Sequence, residues 1–265
     1  MTVAPLVSVV VPSIATTGVV FGAERCFVVE AVRGVLDTAG VAAEVIVVAG
    51  QAMPAQRRAE LSALSADVHI VDYDGPFNFS ESVNLGAAHA RGEHLLLLND
   101  DTQPITPDWL VQMLDAAAAP TVGAVGARLL FEDGTLQHAG HTYRTSLDHV
   151  GFGLPGDSPG RGGILRRRRP VAGVTAACML VPFRVYDAVG GLCPELPGNY
   201  NDVDLCMKIR AAGWSIVYEP AAVLHHFESR SRVATIRPEE IELIQARWLT
   251  HLVDDPFTPA FVEAR

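Results

Sequence analysis

Leu95-Leu96-Leu97-Leu98-Asn99-Asp100-Asp101 is the stretch whose reading decides the fold. Four apolar residues in a row, with Gly92 before them and turn formers after, suit a short strand better than a helix. A run that is apolar on both faces belongs in a sheet covered on both sides, which is the habit of parallel strands. Its carboxyl end then delivers Asn99, Asp100 and Asp101 to the edge where open α/β sheets bind ligands. Two adjacent carboxylates there suit a hard divalent cation, Mg2+ or Mn2+, and such a cation suits a phosphate or diphosphate. The competing reading makes Asn99-Asp100-Asp101-Thr102 an ordinary turn before a helix that follows Pro107, because Asn and Asp are common turn residues.

Upstream of that stretch, strand and helix signals alternate. Val7 to Val11, Val45 to Val48 and Val68 to Val71 are β-rich runs. Between them lie segments suited to helices at 24–38, from Pro54 to about Ser65, and from Ser80 as N-cap to a stop at Gly92. This alternation predicts repeated right-handed βα units and a nucleotide-binding, mostly parallel sheet. Downstream, the pattern predicts a helix from Thr106-Pro107 to about Ala118, a strand over Val122–Leu130 and a tight turn at Asp133-Gly134. A strand over Val174–Val181 and a short helix ended by Gly190-Gly191 follow. The closing helix, Pro238 to Leu252, places Ile241, Ile244, Trp248 and Leu252 on one face. His138 to Pro170 has no sustained period and is rich in Gly, Pro and Arg, so it reads as a long ordered loop or flap. No linker or repeat is visible, and the expectation is a single α/β domain over residues 1–265.

Lys and Arg number 20 against 30 Asp and Glu, a net charge of −10, which disfavours nucleic-acid binding. Arg161 and Arg166 to Arg169 are a local exception. No apolar run reaches the roughly 18 residues of a membrane span, and the N-terminus lacks a charged segment before an apolar one, so a soluble, cytoplasmic protein is expected. Cys26, Cys178, Cys193 and Cys206 show no Cys-x-x-Cys spacing, which predicts reduced thiols with neither a zinc knuckle nor a redox dithiol.

A second acidic cluster, Asn201-Asp202-Val203-Asp204, opens a helix that carries Leu205, Ile209 and Ala212 and closes at Gly213. With Asn201 as N-cap, both aspartates fall in the first turn, where free amides and the helix dipole favour the ionised form. Such a carboxylate can take a proton from an attacking hydroxyl, or it can simply complement the dipole. Paired with Asn99-Asp100-Asp101, it completes a division of labour in which one cluster holds a cation and the other supplies a base. Leu224-His225-His226-Phe227 adds a possible imidazole ligand, and strand alternation lets only one of the two histidines reach the site. His138 and His141, three apart with no Glu or Cys nearby, read as acceptor-side or structural residues rather than as a metal pair.

Several motifs carry a resemblance through their order along the chain. They are Phe77-Asn78-Phe79-Ser80 with Asn84, Leu98-Asn99-Asp100-Asp101 with Pro107-Asp108-Trp109-Leu110, and Gly123-Ala124-Val125-Gly126. The order continues through Gln137-His138-Ala139-Gly140, Val174-Thr175-Ala176-Ala177-Cys178, Gly190-Gly191 and Asn201-Asp202-Val203-Asp204-Leu205, and ends on His226-Phe227-Glu228-Ser229 with Ser231-Arg232. The chain thereby resembles the inverting nucleotide-sugar glycosyltransferases of family 2, which have the GT-A fold. Its nearest look is to the bacterial branch that builds O-antigen, rhamnose-containing and other cell-surface polysaccharides.

The resemblance implies a direct metal ligand at Asp101, an Asn99 that faces the ribose and an Asp100 beside the diphosphate and its Mn2+ or Mg2+. Asp202 would be the general base and Asp204 would buttress the helix start. His226, rather than His225, falls in register with the family's metal-binding histidine. Pro12, Ser13 and Asn84 would serve the nucleotide, and His138, Thr175 and Trp214 the acceptor. Residues 1–101 become the nucleotide-sugar half, 102–236 the acceptor and catalytic half, and 237–265 a C-terminal helix and tail. The implied partners are a nucleotide-diphosphate sugar and a glycan or lipid-diphosphate-linked acceptor. Arg166 to Arg169 would reach that diphosphate or an anionic surface at the inner face of the plasma membrane.

Two departures stand at the N-terminal end. Where the family carries a base-recognising acid, Val47-Val48 runs into Ala49-Gly50-Gln51, which leaves Asp72 or Asp74 to replace it. After Pro12, Ser13 to Thr17 lack the usual polar loop. Two rivals remain open. A sugar-phosphate nucleotidyltransferase would want a Gly-rich phosphate loop with Lys or Arg, which Val9 to Thr17 do not provide. A non-catalytic carbohydrate-binding or scaffold protein is favoured by the missing acid and opposed by Asp101, Asp202 and His226.

Overall fold

In the computed structural model, which describes residues 6–143, 147–228, 236–252 and 255–257, the chain starts on the valine-rich β1 (Val7–Ser13). A hairpin of β2 (Thr17–Val20) and β3 (Ala23–Cys26) leads into α1 (Phe27–Thr38). Then come β4 (Ala43–Gly50), α2 (Ala55–Ser62), β5 (Val68–Tyr73), α3 (Phe79–Ala88), β6 (His94–Leu98), β7 (Thr102–Pro104) and α4 (Trp109–Ala117). The second half holds β8 (Val122–Leu130), β9 (Leu136–His138), β10 (His141–Thr142), β11 (Asp148–His149), β12 (Arg169–Val171) and β13 (Cys178–Pro182). It closes with α5 (Phe183–Ala188), α6 (Asn201–Ala211), β14 (Ser215–His226) and α7 (Pro238–Leu252).

One ten-stranded sheet runs in the order β12-β14-β8-β13-β6-β1-β4-β5, with β7 on β14 and β9 on β8. The N-terminal strands are parallel to one another, as the alternation predicts. β6 is buried as expected but parallel on one side only, because its other neighbour, β13, runs antiparallel to it. Its side chains alternate between two cores. Leu96 and Leu98 join Val9, Val11, Trp109 and Leu110 on one face, while Leu95 and Leu97 join Val10, Val83, Leu205 and Ile209 on the other. Each fully buried leucine contributes on the order of 1.5–3 kcal/mol relative to exposure, so this strand anchors both layers.

Several local expectations shift. Residues 24–26 belong to a hairpin strand rather than to α1. Asn78, not Ser80, caps α3 by accepting from the Glu81 N–H, which frees the Ser80 hydroxyl to donate to the Leu196 carbonyl at 2.7 Å. Tyr200, in the left-handed region, precedes α6, and Asn201 is the first helical residue rather than its cap. Gly92 does not stop α3, which has already ended. A Cβ there would lie 2.6 Å from the Ser8 nitrogen, so the glycine permits close approach to β1. β13 begins only at Cys178, leaving 174–177 as a connecting segment, and β14 starts six residues before Ala221.

The expected long loop after His138 is partly built. It contains the β10–β11 pair, a 3-10 segment over Arg161–Arg166 and β12, which pairs with β14. On α7, Ile244 and Leu252 are buried as expected, but Ile241 is 38% exposed and Glu240 takes the inward position. The Glu240 carboxylate there accepts from the backbone N–H groups of Gly198 and Asn199, tying α7 to the approach to α6. Ser229, Ser231 and Arg232 lie outside the described residues.

Candidate active site

Three hydrogen bonds to backbone groups fix the end of β6. The Asn99 N–H donates to the Ala177 carbonyl at 3.0 Å, the Thr102 hydroxyl donates to the Asn99 carbonyl at 2.8 Å, and the Phe227 N–H donates to the Asp101 carbonyl at 2.9 Å. β7 then pairs antiparallel with the end of β14, which sets His226 opposite Thr102. This register brings together residues 125 apart in the chain, Asp101 and His226, with Asp101 Oδ1 at 3.2 Å from His226 Nε2. Asn99 Nδ2 lies 3.1 Å from the same nitrogen. His225 points elsewhere, with Nδ1 3.0 Å from the Phe131 carbonyl and its ring against Phe21 and Phe227.

Gln137 supplies the outer support, a role that its place in the Gln137-His138-Ala139-Gly140 motif does not by itself reveal. Its Oε1 stands 2.7 Å from His226 Nδ1, and its Nε2 donates to Glu228 at 3.1 Å. An amide oxygen only accepts, so His226 keeps a proton on Nδ1, and in the neutral ring the lone pair of Nε2 faces Asp101. A carboxylate and an imidazole lone pair aimed at one point, with the ring orientation fixed from behind, fit a divalent cation. Burial alone would lower the His226 pKa, but the neighbouring Asp101 carboxylate outweighs it and the net shift is upward.

Asp100 turns to the other side. Its Oδ2 accepts from the Ser13 hydroxyl at 2.6 Å, and Ser13 Oγ accepts in turn from the Ala15 N–H at 2.9 Å. Burial, and then the charge of Asp101, push the Asp100 pKa up to about 7, against the Ser13 hydrogen bond, which lowers it. The end of β1 and the end of β6 are therefore joined at the point expected to meet the donor. Asp72 is the β5 neighbour of Ala49, as a replacement for the missing acid requires, but its carboxylate pairs with Arg58.

Asp202 hangs from the same 174–178 segment that holds Asn99. Its Oδ2 accepts from the Ala176 N–H at 3.3 Å and its Oδ1 from the Val203 N–H at 2.8 Å, while Ala177 provides the carbonyl for Asn99. One short connection thus serves both acidic clusters. Gly126 makes room for it, since a Cβ there would sit 2.4 Å from Val174. Asp204 is fully buried near the start of α6. It accepts from Trp248 Nε1 at 2.8 Å and Arg247 at 3.3 Å, and pairs with Lys208 at 3.2 Å. Thr175 stands beside this group, its N–H 3.3 Å from His138 Nε2, and His138 is completely buried.

Two of the expected site residues make structural contacts. Asn84 spends its side chain on structure: Oδ1 accepts from Tyr186 at 2.5 Å and the Leu192 N–H at 3.0 Å, and Nδ2 donates to the Leu192 carbonyl at 2.9 Å. These contacts hold the 191–192 turn and leave one Nδ2 proton uncommitted. Trp214 precedes β14, at the opposite end of that strand from His226, and packs against Gly123.

The arginine run is also built into the fold more than expected. Arg168 pairs with Glu219 and, at 2.8 Å, with Asp115, and Arg169 lies over the Tyr218 ring and donates to the Ala139 carbonyl at 2.7 Å. Edge pairing of β12 with β14 draws Arg169 inward, while Arg166, Arg167 and Arg168 stay exposed. Among the described residues, no helix is long and apolar enough to cross a membrane.

The family model for glycosyltransferase-like family 2 matches residues 4–248, and the chain belongs to that family. It is 36% identical over 267 residues to the uncharacterized protein y4gI of Sinorhizobium fredii, covering 95% of this chain and 28% of that protein. It is also 36% identical over 170 residues to the O-antigen biosynthesis protein RfbC of Myxococcus xanthus, covering 63% of this chain and 13% of that one. The chain therefore spans only a fraction of the curated relatives it matches. Among solved structures, GalNAc-T7 with UDP, GalNAc and Mn2+ superposes with a TM-score of 0.69 at 10% identity, over 94% of this chain and 49% of that one. The mannosyltransferase PcManGT from Pyrobaculum calidifontis, in complex with GDP-Man and Mn2+, gives 0.59 at 18% identity, over 85% and 57%. The fold is that of the GT-A glycosyltransferases.

Proposed function

We propose that this chain is an inverting glycosyltransferase that moves a sugar from a nucleotide diphosphate to a hydroxyl of a cell-surface glycan or lipid-linked acceptor. The observation that carries this reading is the convergence of Asn99, Asp101 and His226 on one edge, with Asp202 suspended from the segment that also holds Asn99. Family membership supports the reaction class, and the likeness to an O-antigen biosynthesis protein supports the acceptor class. Both solved neighbours hold a nucleotide or nucleotide sugar with Mn2+, which supports a donor of that kind and a divalent metal.

In this mechanism Asp202 accepts the proton of the attacking hydroxyl, its carboxylate oriented by the Ala176 and Val203 N–H groups. The hydroxyl oxygen attacks the anomeric carbon as the bond to the nucleoside diphosphate breaks on the opposite side, so the configuration inverts. A divalent cation, Mn2+ or Mg2+, held by Asp101 and His226 would neutralise charge on the departing diphosphate. Asn99 contacts the ribose side, Asp100 and Ser13 close the donor end of β1, and His138 and Thr175 border the acceptor. Arg166 and Arg167, exposed beside β12, are the part of the arginine run open to an acceptor diphosphate or an anionic membrane face.

The test is a panel of nucleotide sugars with Mn2+ or Mg2+, with nucleoside diphosphate release as the readout and Asp202→Asn as the control. Release that needs the metal and is abolished in Asp202→Asn is expected. Pyrophosphate release would instead favour the nucleotidyltransferase, and donor binding by neither protein would favour a scaffold.

A further inference from the structure

Three imidazoles gather where the sequence offered only a pair. β9 ends on His138, β10 begins with His141, and the antiparallel pairing of β10 with β11 sets His149 opposite His141. One ring nitrogen from each lies within 4.8 Å of the other two. His138 and His141 are buried and His149 is half-buried.

Two observations point to a cation at this cluster rather than to a closed set of hydrogen bonds. First, His138 Nδ1 is buried with no hydrogen-bond partner, a condition that buried polar groups ordinarily avoid. Second, the outer atoms are already tied. His149 Nδ1 faces the Gln137 carbonyl at 3.2 Å, and because a carbonyl only accepts, Nδ1 carries the proton and Nε2 offers a lone pair. His141 Nδ1 lies 3.2 Å from the Tyr143 hydroxyl, and its Nε2 lies 3.9 Å from Asp202 Oδ2. Imidazoles oriented from behind, with a carboxylate in reach, make a donor set suited to Zn2+ and poorly suited to Mg2+.

We propose that His138, His141 and His149 form a second cation site that takes Zn2+, with Asp202 as its fourth ligand. A tetrahedral Zn2+ sets its ligand atoms roughly 3.3 Å apart, so the cluster closes by about 1–1.5 Å when filled. Ligation through His138 Nδ1 moves that ring's proton to Nε2 and costs the long contact from the Thr175 N–H. The consequence rests on the base role given to Asp202 above: a carboxylate bound to Zn2+ no longer accepts the acceptor's proton, and transfer stops.

The experiment is equilibrium dialysis of the purified chain against Zn2+ or Co2+ in excess Mg2+, read by metal content and by the visible spectrum of the Co2+ form. One Zn2+ per chain, retained against Mg2+ and showing the intense absorption of tetrahedral Co2+, is expected. His149→Gln replaces the most accessible ring and should weaken retention by at least about tenfold. His226→Gln should leave it unchanged, with thermal melts checking that both variants fold. Absence of retained Zn2+, or its loss in His226→Gln but not in His149→Gln, overturns the proposal. Zn2+ should also block nucleoside diphosphate release in the native chain but not in His149→Gln, and transfer that continues with the site filled overturns the inhibitory role. Zinc retention needs no donor, so a chain that holds Zn2+ yet turns over no nucleotide sugar keeps the site and rejects the transferase reading.

Discussion

The edge of β6 and the imidazole nest beside Asp202 are both buried polar clusters, yet they are built from different ligand chemistry and respond to pH in opposite senses. At the β6 edge, burial and the neighbouring Asp101 raise Asp100 to about 7, so the fold favours a proton or a cation there. In the nest, burial lowers the pKa of all three histidines, His141 to about 4, so the fold favours neutral rings. Gln137 touches both regions: its side chain fixes His226, and its backbone carbonyl faces His149. One carboxylate with one imidazole at the first and three imidazoles with one carboxylate at the second would let the chain keep two cations apart by chemistry rather than by distance.

The largest effect expected from breaking this arrangement is on Asp202, which the nest and the reaction share. Asp202→Asn should cut transfer by about 100- to 10,000-fold while donor affinity stays near that of the native chain, measured by steady-state kinetics and donor titration. A loss of donor affinity equal to the loss of rate would place Asp202 in donor binding instead. Gln137→Met, close in volume but without the amide, should weaken the metal requirement at the β6 edge by about 10- to 100-fold, seen as a raised Mn2+ concentration for half-maximal activity. If maximal rate falls while the Mn2+ dependence stays fixed, Gln137 acts elsewhere.

The pH responses sharpen the contrast further. His141 binds a proton more readily unfolded, near 6.5, than folded, near 4, so its contribution is present above 6.5 and is lost as pH falls toward 4. Denaturant unfolding of metal-free protein should show a loss on the order of 2–3 kcal/mol across that interval, and His141→Gln should flatten it. Asp100 works in the other direction. Its folded pKa lies above the ordinary 3.8, so its contribution is present below that value and fades as pH rises through about 7. Asp100→Asn should therefore gain stability relative to the native chain between pH 4 and 8, on the order of 1–3 kcal/mol, in metal-free protein. A gain that is constant across that range would mean that Asp100 does not titrate there.

The two regions also differ in how far the sequence exposed them. Leu95 to Leu98 announced β6 because four apolar residues leave no amphipathic alternative, and the strand end fixed Asn99, Asp100 and Asp101 as a group. His226 could be picked out from His225 only by its position in the ordered motifs. In the sequence His138 and His141 read only as acceptor-side or structural residues, because His149 enters through a two-residue strand pairing that has no periodic signal. Asn84 stands in the ordered motifs and Trp214 outside them, and the structural contacts each makes, to Tyr186 and Leu192 and to Gly123, join segments far apart in the chain.

By itself the sequence determined the alternating βα layout, the buried β6 and the two acidic clusters, because those follow from local periodicity and from turn and capping chemistry. Only the tertiary structure decided that β13 runs antiparallel beside β6, that the 174–178 segment joins Asn99 to Asp202, and that three histidines meet behind that aspartate. Those arrangements depend on strand order and register between distant segments, and such pairings arise from the summed packing of the whole sheet rather than from any residue's neighbours in the chain.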